Sequence, residues 1–116
     1  MPTLTSDFFY SARYQTQCIS LNAQGAAVPQ GTIIAVKETA DGTFDVIGAS
    51  SGAYAVPYGV LLKDTPAAAA AQATDVIVIG ELFRDFVNDV YKAANSGTAL
   101  TEAQVVALRN IGIILK

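Results

Sequence analysis

Apolar residues fall in short blocks along the first two thirds of the chain, and the blocks predict strands. From Gln17 to Leu21 the chain alternates, with Cys18 and Ser20 on one side and Ile19 and Leu21 on the other, which predicts a short strand with one apolar face. Ala26 to Gln30 reads as a loop ending near Pro29. Thr32 to Val36 is β-branched and apolar, the Asp41-Gly42 pair supplies a tight turn, and Thr43 to Ile47 returns, so a hairpin is predicted here. Gly48 to Gly59 reads as a loop, rich in Gly, Ser and Pro, before an apolar strand at Val60 to Leu62. Thr65-Pro66 opens five alanines, Ala67 to Ala71, which fit either a short helix with Pro66 in its first position or a loop. Asp75 to Ile79 carries four consecutive β-branched residues and predicts a fully buried strand, ended or bulged by Gly80.

The period then changes. Leu82, Phe83, Phe86, Val87, Val90, Tyr91 and Ala94 recur at helical spacing, while Glu81, Arg84, Asp85, Asn88, Asp89 and Lys92 take the opposite face. Asn95-Ser96-Gly97 stops this helix. Thr101 and Gln104 have the spacing of a capping box, with Leu100 and Val105 at the staple positions, so a second helix runs from Glu102 to about Arg109. Gly112 releases the chain into a terminal strand, Ile113 to Leu115. The predicted fold class is α+β: a small β-rich body of hairpins and short strands, followed by two short C-terminal helices.

Residues 1–14 stand apart. Four of the chain's ten aromatic residues, Phe8, Phe9, Tyr10 and Tyr14, lie here with few aliphatic neighbours and no clear period. They fit either a first strand of the body or an extended arm that gains order on a partner, since aromatic side chains are poor in a solvated tail and good at an interface. The expected organisation is therefore an N-terminal arm, residues 1–14, on a single domain, residues 15–116.

Composition narrows the chemistry. The chain has 116 residues with 7 basic and 10 acidic side chains, a net charge of −3, and charged residues are only 15% of it. So sparse a charge favours self-association or docking on a partner. Histidine is absent, which removes imidazole bases and His metal ligands. The single Cys18 allows no intrachain disulfide and reads as a small buried apolar group. An acidic chain without a Lys/Arg cluster is a poor nucleic-acid binder. The longest uncharged stretch, Tyr14 to Val36, is too rich in Gln, Ser and Asn to span a membrane, and no secretory leader is evident. Asp85 and Asp89 share a helix face but read as solvated, with Lys92 nearby. Gly48-Ala-Ser-Ser-Gly52 lacks the Lys and third Gly of phosphate-binding loops, and its serines lie in no nucleophile elbow. No catalytic constellation, cofactor site or metal site is predicted. An enzyme would have to work through carboxylates, Lys63, tyrosine or a metal alone.

The order of the motifs is more specific than any one of them. Gly31-Thr-Ile-Ile-Ala-Val36, the Asp41-Gly42 turn, Pro57-Tyr-Gly-Val-Leu-Leu62, Asp64 with the Ala-rich connection, Val76-Ile-Val-Ile-Gly80-Glu81 and Leu108-Arg-Asn-Ile-Gly-Ile-Ile-Leu115 follow one another in a short chain. This order resembles the lambda-type bacteriophage head decoration proteins, the protein D family, over roughly Val28 to Lys116. The resemblance implies a compact α/β homotrimer on the outer surface of the virion. Such trimers bind the major capsid protein of the expanded head and cement it against DNA pressure, without a cofactor, nucleic acid or membrane. It also implies synthesis in the host cytoplasm and an N-terminal arm that pairs with capsid strands. The arm residues expected to make that contact are Thr3, Leu4, Phe8, Phe9, Tyr10 and Tyr14. The alternative is another phage surface module, such as a head-fibre base, a tail component or a carbohydrate-binding domain in which Tyr54 and Tyr58 of the Gly48 to Gly59 loop stack on a sugar.

Overall fold

The computed structural model describes residues 8–39 and 41–116. The strands are β1 (Phe9–Leu21), β2 (Ile33–Lys37), β3 (Asp45–Val46), β4 (Tyr54–Leu61), β5 (Gln72–Leu82) and β6 (Ile113–Leu115); the two longer helices are α1 (Arg84–Ala94) and α2 (Glu102–Ile111), and a four-residue helical turn spans Ala49–Gly52. The α+β, β-rich class read from the sequence is the class of this fold.

All six strands join one sheet in the order β1-β5-β4-β2-β3, with β6 added to β5. The pairs are antiparallel except β5 with β6, which run parallel. At the far end Leu21, the last residue of β1, bridges to Phe44 just before β3, and the Asn22 N–H donates to the Phe44 carbonyl at 2.9 Å. The sheet thus returns to its first strand and closes as a small barrel.

The continuous apolar runs of the sequence have their explanation in this closure, because strands buried on both faces need no alternation. Ile33, Val60 and Ile77 belong to one cluster, together with Leu82 and with Val87, Val105 and Leu108 from the two helices. Their chain neighbours Ile34, Leu61 and Val76 turn the other way, into a second cluster with Ile19, Leu21 and Val28. One cluster seats the helices and the other fills the barrel.

The helices end where their punctuation says. The Thr101 hydroxyl accepts from the Gln104 N–H while the Gln104 side chain accepts from the Thr101 N–H, a complete capping box. Gly112 closes α2 in the left-handed conformation (φ 109°), and α2 runs to Ile111, a half-turn past Arg109. Helix α1 begins at Arg84 rather than Leu82, since Leu82 still pairs with Phe9 and Leu115 in the sheet.

Several expectations are corrected. The hairpin of β2 and β3 forms, with Gly42 at positive φ (85°), but its turn is not tight: β2 ends at Lys37 and β3 starts at Asp45, and Asp41 organises the longer connection by accepting from the Thr43 N–H. The loop after Gly48 is shorter than Gly48 to Gly59, because β4 starts at Tyr54, which pairs opposite Lys37. β5 is buried at Val76 and Ile77 but not through to Ile79, which is 46% exposed. Of the two readings open for the alanine run, the structure takes the loop: Ala68 and Gln24 exchange two backbone hydrogen bonds at 3.1 Å. Cys18 is exposed, not buried, because Ile19 and Leu21 take the inward face of β1 and leave it the outward one.

Candidate functional site

The boundary expected at Tyr14 has no counterpart in the fold. β1 runs through it as one strand of 13 residues against β5. Phe8, just before this strand, is fully buried in the helix-side core. Its carbonyl accepts from the Phe83 N–H at 2.9 Å, at the entrance to α1. Its ring meets Phe86 at 5.0 Å and Phe9 at 4.8 Å between centroids. Phe8 therefore completes the chain's own core and is no free anchor for a partner, and Phe9 packs partly against the same core. The physical reason is the apolar face of α1: Phe83 and Phe86 need a cover, and the N-terminal rings provide it.

Tyr10 and Tyr14 differ from the two phenylalanines. They are 52% and 42% exposed. Between Phe9, opposite Leu82, and Tyr14, opposite Gly80, four residues of β1 face the single Glu81 of β5. This wide bulge turns Tyr10 outward, where its ring lies edge-on to Phe83 and the Lys116 ammonium sits 5.2 Å from its centre. Tyr14 stacks on Phe9 at 4.4 Å and lies across Gly80, where a Cβ would come within 3.1 Å of the Tyr14 Cβ. Thr3 and Leu4 lie outside the described residues. The structure thus divides the expected arm into two buried or half-buried anchors and two presented rings.

The rest of β1 is an open edge. Beyond its pairing with β5 and the bridge at Leu21, no backbone partner meets it among the described residues. Arg13 to Cys18 are all exposed, so both faces of the strand and its outer edge meet solvent. Such edges are usually blunted by charge or proline. Here Arg13 is the one charge and no proline is present.

A polar cluster at the barrel closure escaped the sequence reading. Asn22 donates to the Tyr54 hydroxyl at 2.9 Å, Gln24 to Asp45 Oδ1 at 2.8 Å, and the Thr43 and Tyr54 hydroxyls share a hydrogen bond at 2.7 Å. These residues lie far apart in the chain and meet where the Leu21–Phe44 bridge joins the end of β1 to the paired strands β3, β2 and β4. Tyr54 is consequently buried, and the Tyr58 hydroxyl donates to Gln17 at 2.7 Å while its ring packs edge-on to Phe44. The two tyrosines pack into the body and do not form the exposed stacking platform that the alternative, carbohydrate-binding reading required of them.

Asp85 and Asp89 are exposed on α1. Among the described residues no three potential metal ligands cluster, and no helix is long and apolar enough to cross a membrane. The Thr43 hydroxyl and N–H, and then the Lys37 ammonium at 3.3 Å, hold the exposed Asp41 carboxyl below the usual carboxylate range. In comparisons with known proteins, no family model and no characterised protein matches the chain.

Proposed function

We propose that this protein is a structural virion component: a homotrimeric decoration protein that binds the major capsid protein on the outer face of the expanded phage head and cements it. The order of strand motifs, which resembles the protein D family, supports the reading, as do the β-rich body and the sparse charge. The observation that carries it is the open, nearly uncharged edge of β1 beside the exposed rings of Tyr10 and Tyr14.

The mechanism follows from that edge. A capsid segment added to β1 gains backbone hydrogen bonds of about 1 kcal/mol net each, against an ordering entropy of about 1–2 kcal/mol per residue. Backbone pairing alone would bind weakly. Covering Tyr10 and Tyr14 adds apolar burial at about 25 cal/mol per Å². Three copies held in one trimer then raise the combined affinity by about 10²–10⁴. A protein that binds only the expanded lattice stabilises that lattice by mass action, with no chemical step.

Sedimentation of the purified protein, alone and with expanded or unexpanded shells of the major capsid protein from the same genome, tests the reading. The expected result is a free trimer that co-sediments with expanded shells. Absence from both kinds of shell would overturn it.

A further inference from the structure

A second surface lies away from β1, and it carries its own chemistry. A groove of about 350 Å³ runs between the start of β4 and the two helices. That volume is at the lower end of the roughly 300–1,000 Å³ usual for small-molecule sites. None of its lining residues is charged. Glycine and alanine (Gly48, Gly52, Ala55, Ala103, Ala107) supply much of the lining, Pro57 adds a flat apolar surface, and Tyr91, Asn95 and Gln104 supply the polar groups.

Two features of the backbone shape the groove. Ala55 is the extra residue where β4 slips in register against β2, since Val56 pairs with Val36 and Tyr54 with Lys37. Bulges of this kind re-aim a strand locally. The rim is the turn Ala49–Gly52, in which Ser50 and Ser51 both take left-handed φ angles, 55° and 57°. Adjacent non-glycine residues in that region are strained.

The polar groups have capacity to spare. The Tyr91 hydroxyl accepts from Gln104 Nε2 at 3.0 Å, which leaves its own proton to donate. Asn95 Nδ2 donates to the Tyr91 carbonyl at 2.8 Å, which fixes the amide and leaves Oδ1 as an acceptor. A donor and an acceptor held by the protein, beside a flat apolar wall with no charge, suit a ligand that is neutral, bears hydroxyls and has one apolar face.

We infer that this groove binds a neutral sugar ring of hexose size, its apolar face on Pro57 and the alanines and its hydroxyls on Tyr91 and Asn95. The inference is independent of the decoration reading and uses none of the β1 surface.

Amide chemical shifts of the full chain, followed while glucose, galactose or N-acetylglucosamine is added, provide the test, with glucose 6-phosphate as the charged control. The expected result is saturable shifts with at least one neutral sugar, centred on Gly48, Gly52, Ala55, Asn95 and Ala107, and weaker binding of the phosphate. Ala103→Leu, which fills the groove from an exposed helix position, should weaken binding about tenfold or more while the Thr101 and Gln104 capping-box resonances stay in place. Tyr91→Phe should weaken it less. Non-saturating or scattered shifts, equal binding of the phosphate, or unchanged binding by Ala103→Leu would each overturn the inference.

Discussion

The rings of Phe8 and Phe86 stand 5.0 Å apart and inclined by 53°, joining the first described residue of the chain to the first turn of helix α1. This contact decides what the N-terminal segment is. Phe8 has no exposed surface, so the body includes it and does not start after Tyr14. Among the described aromatic residues of this segment, Tyr10 in the bulge and Tyr14 just after it keep exposed rings for a partner.

Phe8→Ala is therefore expected to behave as a core truncation, lowering stability by about 3–5 kcal/mol. Tyr10→Ala should change stability by less than about 1 kcal/mol, since its ring is half exposed. Urea unfolding monitored by circular dichroism separates the two. A free and disordered N-terminal segment would make both substitutions equally silent. Under the decoration reading, Tyr10→Ala should instead reduce capture by expanded shells.

The contrast shows where the sequence was legible. The α2 boundaries were readable because a capping box and a left-handed glycine are local devices whose residues lie within a turn of what they satisfy. The strands at Ile33, Val60 and Val76 were readable as runs because both faces are buried. The fate of Phe8 was not, because its partner Phe86 is 78 positions away and an aromatic residue suits a core as well as an interface. Cys18 was misplaced for a related reason: its hydrophobicity fits either face of β1, and only the pairing of β1 with β5 chooses. The cluster of Asn22, Gln24, Thr43, Asp45 and Tyr54 depends on barrel closure, which leaves no local pattern.

Gly59 is expected to tolerate no side chain. A Cβ there would lie 2.7 Å from the backbone carbonyl of Ile77, where β4 and β5 pair. A carbonyl in a sheet cannot move aside like the end of a flexible side chain, so Gly59→Ala should destabilise by about 1–3 kcal/mol. Gly25 has open space around its Cα and no left-handed φ, so Gly25→Ala should be neutral or stabilise by up to about 1 kcal/mol. Thermal melts of the two variants, run in parallel, check the difference.

The exposed thiol gives a direct probe of the β1 edge. Cys18 should react with a disulfide reagent in the folded protein as completely as in the denatured one. Protection in the free protein would mean that β1 is already covered, by a second copy or by the segment before Phe8. Protection that appears only on adding expanded shells is the outcome expected if the capsid supplies the missing strand.

The last expectation concerns acid. In the folded chain the Asp41 carboxylate accepts from the Thr43 hydroxyl and N–H and faces Lys37, and these favour its charged form. In the unfolded chain it titrates near the ordinary value of about 3.9. The folded state thus binds its proton at lower pH than the unfolded state. Its contribution to stability is complete above the unfolded value and disappears as pH falls through the folded one. Because the Thr43 hydroxyl is the leading cause and Lys37 a lesser one, Thr43→Val, which keeps the backbone N–H, should move the midpoint part of the way back to the ordinary value. High salt, which screens the exposed ion pair, should move it less. Carboxyl carbon shifts of Asp41 across an acid titration distinguish the two causes: a midpoint that salt normalises while Thr43→Val leaves it unmoved would show that the ion pair, and not the turn, holds the charge.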